Sequence, residues 1–530
     1  MKLRFFSLPV WAMTALLVAP AWAHEITQQQ VLDESFTIIG QPDVLAQGYD
    51  GTGTAVAVIE YGRIDYLTKV DQHGDRLYGD CQDPQFITDA KNLHGDDWYQ
   101  YVEHRGYAPV QGPGATCRIA WMQCLSVSDD GLKTCPYPPT STRHMENVTS
   151  VAAKVAPGAK IIAIRMAGDV WDPTDTITSG SELKTAVEWL HTPNFIAATG
   201  VDPAVDATEQ AAWQAHWQAE FGSQSPAEKY NLVAANISTT YLKEKPGGIS
   251  MHWTGHCKMN PGVAPDPLQY IADQRIAGWC SGAADPLQCG LEQSTLAETF
   301  DFTDNFAALR AAGVLPVVAA GNQNAFMNGI NNPACAEGAV AVNSIWDGHS
   351  SNPVTAKNVY GVNHPSLITL HAPSPHLGEW DPGYPGTGAP TSFSTPMVAG
   401  AIALLADAVP GETADEREAW LTGTGVLTIE DRTCVGAAGT QRCPDSPPYG
   451  YPVPSYTRPR LDINAAVTAA VANATTAIVE IDVIPFDATN TIAPETAGNL
   501  PVAILTTSVA DGDAFDFDAS TVDQATVRFG

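Results

Sequence analysis

Residues 388–405 read GAPTSFSTPMVAGAIALL. Hydroxyls on Thr391, Ser392, Ser394 and Thr395 crowd the mouth of a long apolar run, which predicts a helix buried on all sides. Two uses for these hydroxyls are open. They can cap the helix, with Pro396 in the first turn, where its missing N–H costs nothing. Alternatively, one of them is a nucleophile whose own N–H lies at the positive helix end. Taken alone the stretch favours capping, so the surrounding chain has to decide.

Upstream, short apolar runs alternate with helical ones. GTGTAVAVIEYG (51–62) is a turn followed by the run Ala55–Ile59, which fits a strand buried on both faces. HMENVTSVAAKVAPGAKIIAIRM (144–166) reads as helix, turn, strand. Val148, Val151, Ala152 and Val155 have helical spacing, and Pro157-Gly158 stops the helix. ELKTAVEWL (182–190) is amphipathic helix, residues 195–228 read as a helical insertion, and NLVAANIS (231–238) is another buried strand. FAALRAAGVLPVVAAGNQN (306–324) gives helix, turn, strand and polar turn, while GAVAVNSI (338–345) and SLITLHAP (366–373) are further strands. The alternation predicts an α/β fold, doubly wound, with a mostly parallel sheet. Ligands of such sheets bind beyond the carboxyl ends of the strands, and Glu60 and Asn322 are expected just past two of those ends.

Residues near 63–140 and 240–300 are Cys-bearing and read as insertions within a domain running from 24 to 470. From 471 to 530 the style changes. Strand-like runs at AIVEIDVI, PVAILTT and ATVRFG, separated by turn residues, predict a small all-β C-terminal module. Its bare edges lead us to expect that it continues past 530.

The chain has 530 residues, enough for two or three domains. It opens MKLRFFSLPVWAMTALLVAPAWA. The basic start, apolar run and small-x-small ending are those of a secretory signal peptide over 1–23. No later stretch is apolar enough to span a bilayer, so we expect a secreted protein with no membrane partner once the signal is removed. The net charge of −31 argues against nucleic acid as a partner. Ten cysteines in an exported chain predict disulfides; Cys434 and Cys443 are close enough to pair, and the other pairings stay open. No zinc-type CxxC spacing is present.

An acid after a strand (VAVIEYG), a histidine opening a helix (HMENVTSVAAKVAPGAKI), an Asn after a strand (VVAAGN) and a serine opening a buried helix (PTSFSTPMVAG) follow one another in that order. With these elements the chain resembles the subtilisin-like serine peptidases, or subtilases, over roughly residues 36–470. The family's GTSMATPHVAG aligns without gaps on PTSFSTPMVAG, and its HGTHVAG stands before VAPGA as His144 does here. GYDGTGTAVAVIEYG, NNPACAEGAVAVNSI (331–345) and RPRLDINAAV (458–467) also resemble family segments. The resemblance implies an endopeptidase acting on polypeptide substrates through an acyl-enzyme. Ser392 would be the nucleophile, His144 the base and Glu60 the orienting acid. Asn322 would serve the oxyanion, and Ser238, Thr239 and Thr240 would line the substrate strand. This chemistry requires no cofactor. Structural calcium is a further expectation of the resemblance; ADGDAFDFDAS (510–520) is oxygen-rich but lacks a recognisable ligand spacing.

The chain also departs from the family. Its acid is Glu60 in place of Asp, which extends the reach by about one C–C bond, ~1.5 Å. Asp65 is the fallback orienter. Sedolisin relatives use a helical Glu instead of His, whereas here Glu60 follows a strand and His144 is present. Met145, Ser150 and Pro390 stand where the family keeps glycines, and Thr239-Thr240 replaces its Leu-Gly. The lead segment, His24 to about Gly48, is shorter than the family's usual folding pro-domain. These departures define the rival reading: a secreted binding or adhesion protein that keeps the fold with impaired catalysis. Oligomeric state and substrate preference are not encoded legibly.

Overall fold

A computed structural model describes residues 28–71, 74–98, 102, 106–125, 127–128, 131–132, 144–166, 180–193, 215–238, 302–321, 333–345, 355–356, 368–374, 391–430, 457–474, 481–482 and 503–504. The signal-peptide expectation, the whole 240–300 insertion and the ATVRFG strand lie outside these residues. The chain divides into two compact units, Met1–Ala469 and Ala470–Gly530.

Two helices lead the first unit, α1 (Gln28–Ile38) and α2 (Gln41–Ala46). They are followed by β1 (Ala55–Tyr61), β2 (Cys81–Gln82), α3 (Gln85–His94), β3 (Val110–Gln111), β4 (Ile119–Leu125), β5 (Val127–Ser128) and β6 (Gly131–Leu132). Next come α4 (His144–Val155), β7 (Lys160–Met166), α5 (Gly180–His191), α6 (Pro226–Tyr230), β8 (Leu232–Ile237), α7 (Thr303–Ala311), β9 (Leu315–Ala319) and β10 (Val340–Ile345). β11 (Thr355–Ala356), β12 (Leu370–Pro373), α8 (Thr391–Ala408), α9 (Ala414–Thr424), β13 (Val426–Glu430), β14 (Thr457–Arg460) and α10 (Ile463–Asn473) complete the series.

Ten strands form one sheet in the order β11-β13-β14-β12-β10-β9-β8-β1-β7-β4. Every pairing is parallel except β13 with β14. The expected doubly wound, mostly parallel architecture is therefore present. From β1 the chain lays down β4 at the edge, returns to β7 between β4 and β1, then crosses to β8 on the other side of β1 and continues that way. The boundary between β1 and β8 is the switch point of the sheet, where α/β folds open a crevice at the carboxyl ends of their strands. Glu60 lies near the end of β1 and Ser238 immediately follows β8.

Alternation fixes the two faces. Ala55, Ala57 and Ile59 of β1 join Ile162, Ile164 and Met166 of β7 in a core shared with α5 and α7. Val56, Val58 and Glu60 therefore face the other way, toward α4 and α8. α8 is the buried helix expected, with every residue from Thr391 to Ala406 buried.

The sequence reading missed one strand. Ile119–Leu125 falls within the stretch read as an insertion, yet it is a full strand of the sheet, parallel to β7. Its Trp121 is fully buried and meets Trp217 and Phe221 edge-on, with His216 stacked at 5.6 Å. Glu60 is not past the end of its strand but is the sixth of β1's seven residues. Among the described residues of SLITLHAP, the strand runs from Leu370 to Pro373.

A disulfide joins Cys81 to Cys117, stapling the β2–β3 ribbon; Cys124 and Cys335 are also disulfide-bonded. In the second unit β15 (Ile481–Asp482) pairs antiparallel with β16 (Ala503–Ile504), inside two of the runs read as strands.

Candidate functional site

The serine-bearing helix is organised by a proline. α8 begins at Thr391, so Pro396 sits inside it and not in a free first turn, which corrects the expectation above. A residue at that position would ordinarily donate its N–H to the carbonyl four residues back, on Ser392. Proline has no N–H, and the released Ser392 carbonyl instead accepts the Ser238 hydroxyl at 2.8 Å. In return the Ser392 hydroxyl donates to the Ser238 carbonyl at 3.1 Å. Two reciprocal bonds thus lock the start of α8 onto the end of β8, across the switch point. The other hydroxyls do different work. Thr391 Oγ1 accepts the N–H of Gly321, the residue before Asn322, at 3.1 Å, and Thr395 Oγ1 donates back to the Thr391 carbonyl at 2.7 Å. In none of these bonds does a hydroxyl cap an N–H of its own helix.

Glu60 and His144 meet directly. The Glu60 carboxylate is 1% exposed, and its Oε2 lies 3.3 Å from His144 Nδ1 at the start of α4. The imidazole keeps partial access to solvent and stands edge-on to Phe393, with ring centroids 5.7 Å apart. Phe393 follows Ser392, so the histidine touches the residue beside the serine. Asp65, the fallback orienter, is exposed and accepts the N–H groups of Leu67 and Thr68 at 3.2 Å each. It is committed to its own turn.

α4 is held firmly at its far end. Orphan carbonyls close every helix C-terminus. Here Arg118 donates to Ala153, Ala156 and Ala159 at 2.9, 2.6 and 3.1 Å, and the Gln41 amide donates to Lys154 and Val155 at 2.9 and 3.1 Å. Burial pushes the Arg118 guanidinium down to about 10. Beside this cap α4 crosses α8 closely. A Cβ on Gly400 would meet Val155 Cβ at 2.6 Å and the Ala152 carbonyl at 3.0 Å. Glycine there lets the two helices that carry His144 and Ser392 approach.

Four predicted residues, Glu60, His144, Ser238 and Ser392, are thus gathered at the switch point. Asn322, Thr239 and Thr240 lie outside the described residues. Among the described residues no group of three His, Cys, Asp or Glu side chains is placed to hold a metal ion, and no helix is long and apolar enough to cross a membrane. The sequence reading missed the Ser238–Ser392 lock, Phe393 against His144, and the Arg118 cap. Only the lock had a signal: a proline four residues after a serine leaves that serine's carbonyl unclaimed.

The model of the Subtilase family matches residues 280–443. The matched stretch is just under a third of the chain. It takes in Ser392 and Asn322 and does not reach Glu60, His144 or Ser238. It supports serine protease chemistry at the level of the family. No curated protein matches the chain. Among solved structures, that of proteases from Pseudoalteromonas arctica is 16% identical, covers 83% of this chain and 97% of its own, and has a TM-score of 0.38. The prenylagaramide maturation protease PagA is 13% identical over 82% of this chain and 99% of its own, at 0.35. A structure of the subtilase cytotoxin SubAB is 13% identical over 83% and 96%, at 0.37.

Proposed function

We propose that this chain is a secreted serine endopeptidase, in which Ser392 attacks the peptide carbonyl and His144 and Glu60 manage the proton. The observation that carries this reading is the buried Glu60 carboxylate at 3.3 Å from His144 Nδ1, at the switch point where Ser392 opens its helix. In this reading the contact would orient the ring and engage Nδ1, leaving base work to Nε2.

The Ser392 hydroxyl rests on the Ser238 carbonyl, and this reading requires it to turn about χ1 to the imidazole before attack. His144 takes the hydroxyl proton as Oγ bonds to the substrate carbonyl carbon, and Glu60 stabilises the imidazolium that results. The Ser392 N–H, at the positive end of α8, and the Asn322 side chain would donate to the oxyanion. Collapse of the tetrahedral species breaks the C–N bond. The leaving amine takes the proton back from His144 and the acyl-enzyme remains. Water then repeats the sequence, with His144 as base, and frees Ser392. A peptide strand entering beside β8 would compete with the Ser392 hydroxyl for the Ser238 carbonyl, and Thr239 and Thr240 would border it. Structural calcium is compatible with this reading and no step depends on it.

The rival reading, a binding protein with idle chemistry, draws on one observation: the serine proton is engaged by Ser238. Incubating purified protein with a casein or peptide-library substrate separates the two. We expect cleavage by the native chain and none by Ser392→Ala. Equal turnover by the variant, or none by native protein, rejects the peptidase.

A further inference from the structure

β8 carries a polar side chain into the core. Its residues, LVAANI, are all buried, and Asn236 is 0% exposed. Ala235 and Ile237 on either side of it fill the core shared with α5 and α7, so Asn236 faces the opposite way, toward α8. In the register it stands beside Val58 of β1, two residues before Glu60 on the same face. A primary amide taken out of water costs free energy unless its hydrogen bonds are remade. Here the amide turns to Ser238: Asn236 Nδ2 donates to Ser238 Oγ at 3.0 Å.

The Ser238 hydroxyl has one proton and two acceptors within reach. The Ser392 carbonyl lies at 2.8 Å and Asn236 Oδ1 at 3.3 Å. The amide N–H fills a lone pair of the hydroxyl, polarises it, and leaves its proton for the nearer acceptor, the Ser392 carbonyl. Pro396 has no N–H to offer that carbonyl, so the hydroxyl takes the place of a helical donor. A relay of donors thus runs from β8 to the first turn of α8: Asn236 amide, Ser238 hydroxyl, Ser392 carbonyl. The turn it holds also bears Phe393, which meets the His144 ring at 5.7 Å.

We propose that Asn236 is a positioning residue for the nucleophile: through the Ser238 hydroxyl its buried amide fixes the Ser392 carbonyl, and with it the backbone from which the Ser392 hydroxyl reaches toward His144. Two bonds join Ser238 to Ser392, and they differ in what attack requires of them. The bond from the Ser392 hydroxyl to the Ser238 carbonyl must break when that hydroxyl turns to the imidazole. The bond to the Ser392 carbonyl persists, and it is the one that Asn236 supports. Without the amide, the Ser238 hydroxyl loses the donor that orients it, and the nucleophile's backbone is held less firmly at the moment of attack. This role rests on the peptidase reading for its purpose, though not for its hydrogen bonds.

The test reads the carbonyl and the hydroxyl of Ser392 separately. Protein labelled with 13C-carbonyl serine and 15N-phenylalanine gives carbonyl–amide correlations at its Ser-Phe pairs, Ser35-Phe36 and Ser392-Phe393, and the second is the one lost in Ser392→Ala. In Asn236→Leu the Ser392 carbonyl signal is expected to move in the direction it moves in Ser238→Ala, and Asn236→Leu/Ser238→Ala should match Ser238→Ala alone. Fluorophosphonate labelling of Ser392 should slow by about tenfold in each single variant and no further in the double. An unmoved carbonyl signal or an undiminished labelling rate in Asn236→Leu overturns the proposal. So do losses in labelling that multiply in the double variant, since an amide that only fills the core acts independently of Ser238. Should Asn236→Leu fail to fold, Asn236→Ala takes its place with the same outcomes. If neither folds while Ser238→Ala does, the amide serves the fold and not Ser238, and the proposal falls. If native protein takes no label, the peptidase reading fails while the carbonyl signal still decides the relay.

Discussion

At the residue scale, Glu60 is the sharpest test of the proton chemistry. Its extra methylene does not displace the couple, because Glu60 lies inside β1, one residue before its end, and reaches His144 Nδ1 at 3.3 Å. Shortening it to Asp withdraws the carboxylate by about 1.5 Å. We therefore expect Glu60→Asp to reduce kcat by roughly 10- to 100-fold with KM nearly constant, measured on a peptide substrate. Glu60→Gln should cost about 10³-fold or more, since a neutral amide no longer stabilises the imidazolium. Ser238→Ala leaves the Ser392 carbonyl without its hydroxyl donor and is expected to lower stability by about 1–3 kcal/mol in denaturant titration. The candidate residues could be chosen from the sequence because chain order and local motif are one-dimensional. The lock between Ser238 and Ser392 could not, because the two residues are far apart in the chain and meet only when β8 and α8 pack.

At the element scale, α4 and α8 must keep their spacing. Gly400→Ala places a methyl 2.6 Å from Val155 Cβ, and overpacking of this kind costs about 1–3 kcal/mol. It should reduce activity more than a similarly destabilising change elsewhere, because the helices it separates carry Ser392 and His144. Arg118→Ala strips the Ala153 carbonyl of α4 and the Ala156 and Ala159 carbonyls just beyond its end, and is expected to lower stability by about 2–4 kcal/mol, read as a fall in Tm. α5 carries a pH-dependent weakness. Burial lowers the pKa of His191, and its Nε2 has no hydrogen-bond partner among the described residues. The unfolded chain therefore binds this proton more readily than the folded one. Its contribution is complete above the ordinary histidine value of about 6.5 and is lost as pH falls through the depressed folded value. Melting curves should show a Tm that declines on acidification, and His191→Gln should flatten that decline; an unchanged slope would remove His191 as the cause. Strand and helix positions around these elements were mostly legible from periodicity. β4 was not, because IAWMQCL sits among polar, Cys-bearing neighbours and its apolar side faces aromatics from a distant stretch, Trp217 and Phe221.

At the scale of the whole molecule, a ten-stranded sheet brings the carboxyl ends of β1 and β8 together, and the site lies where chain direction across the sheet reverses. The Cys81–Cys117 staple closes a 36-residue separation beside Arg118, which in the chain-entropy description contributes about 3–4 kcal/mol. Reduction should lower Tm and, by loosening the Arg118 cap, weaken the placement of His144. The doubly wound plan followed from the βα alternation alone, whereas the gathering of Glu60, His144, Ser238 and Ser392 depends on the order in which strands are laid into the sheet, which no local pattern records. The most direct measurement is covalent: treat folded protein with a fluorophosphonate and map the adduct by peptide mass spectrometry. An activated nucleophile at this site predicts a single phosphonyl group on Ser392 that vanishes in His144→Ala. No adduct on folded native protein, or one on Ser392 that persists undiminished without His144, would contradict it.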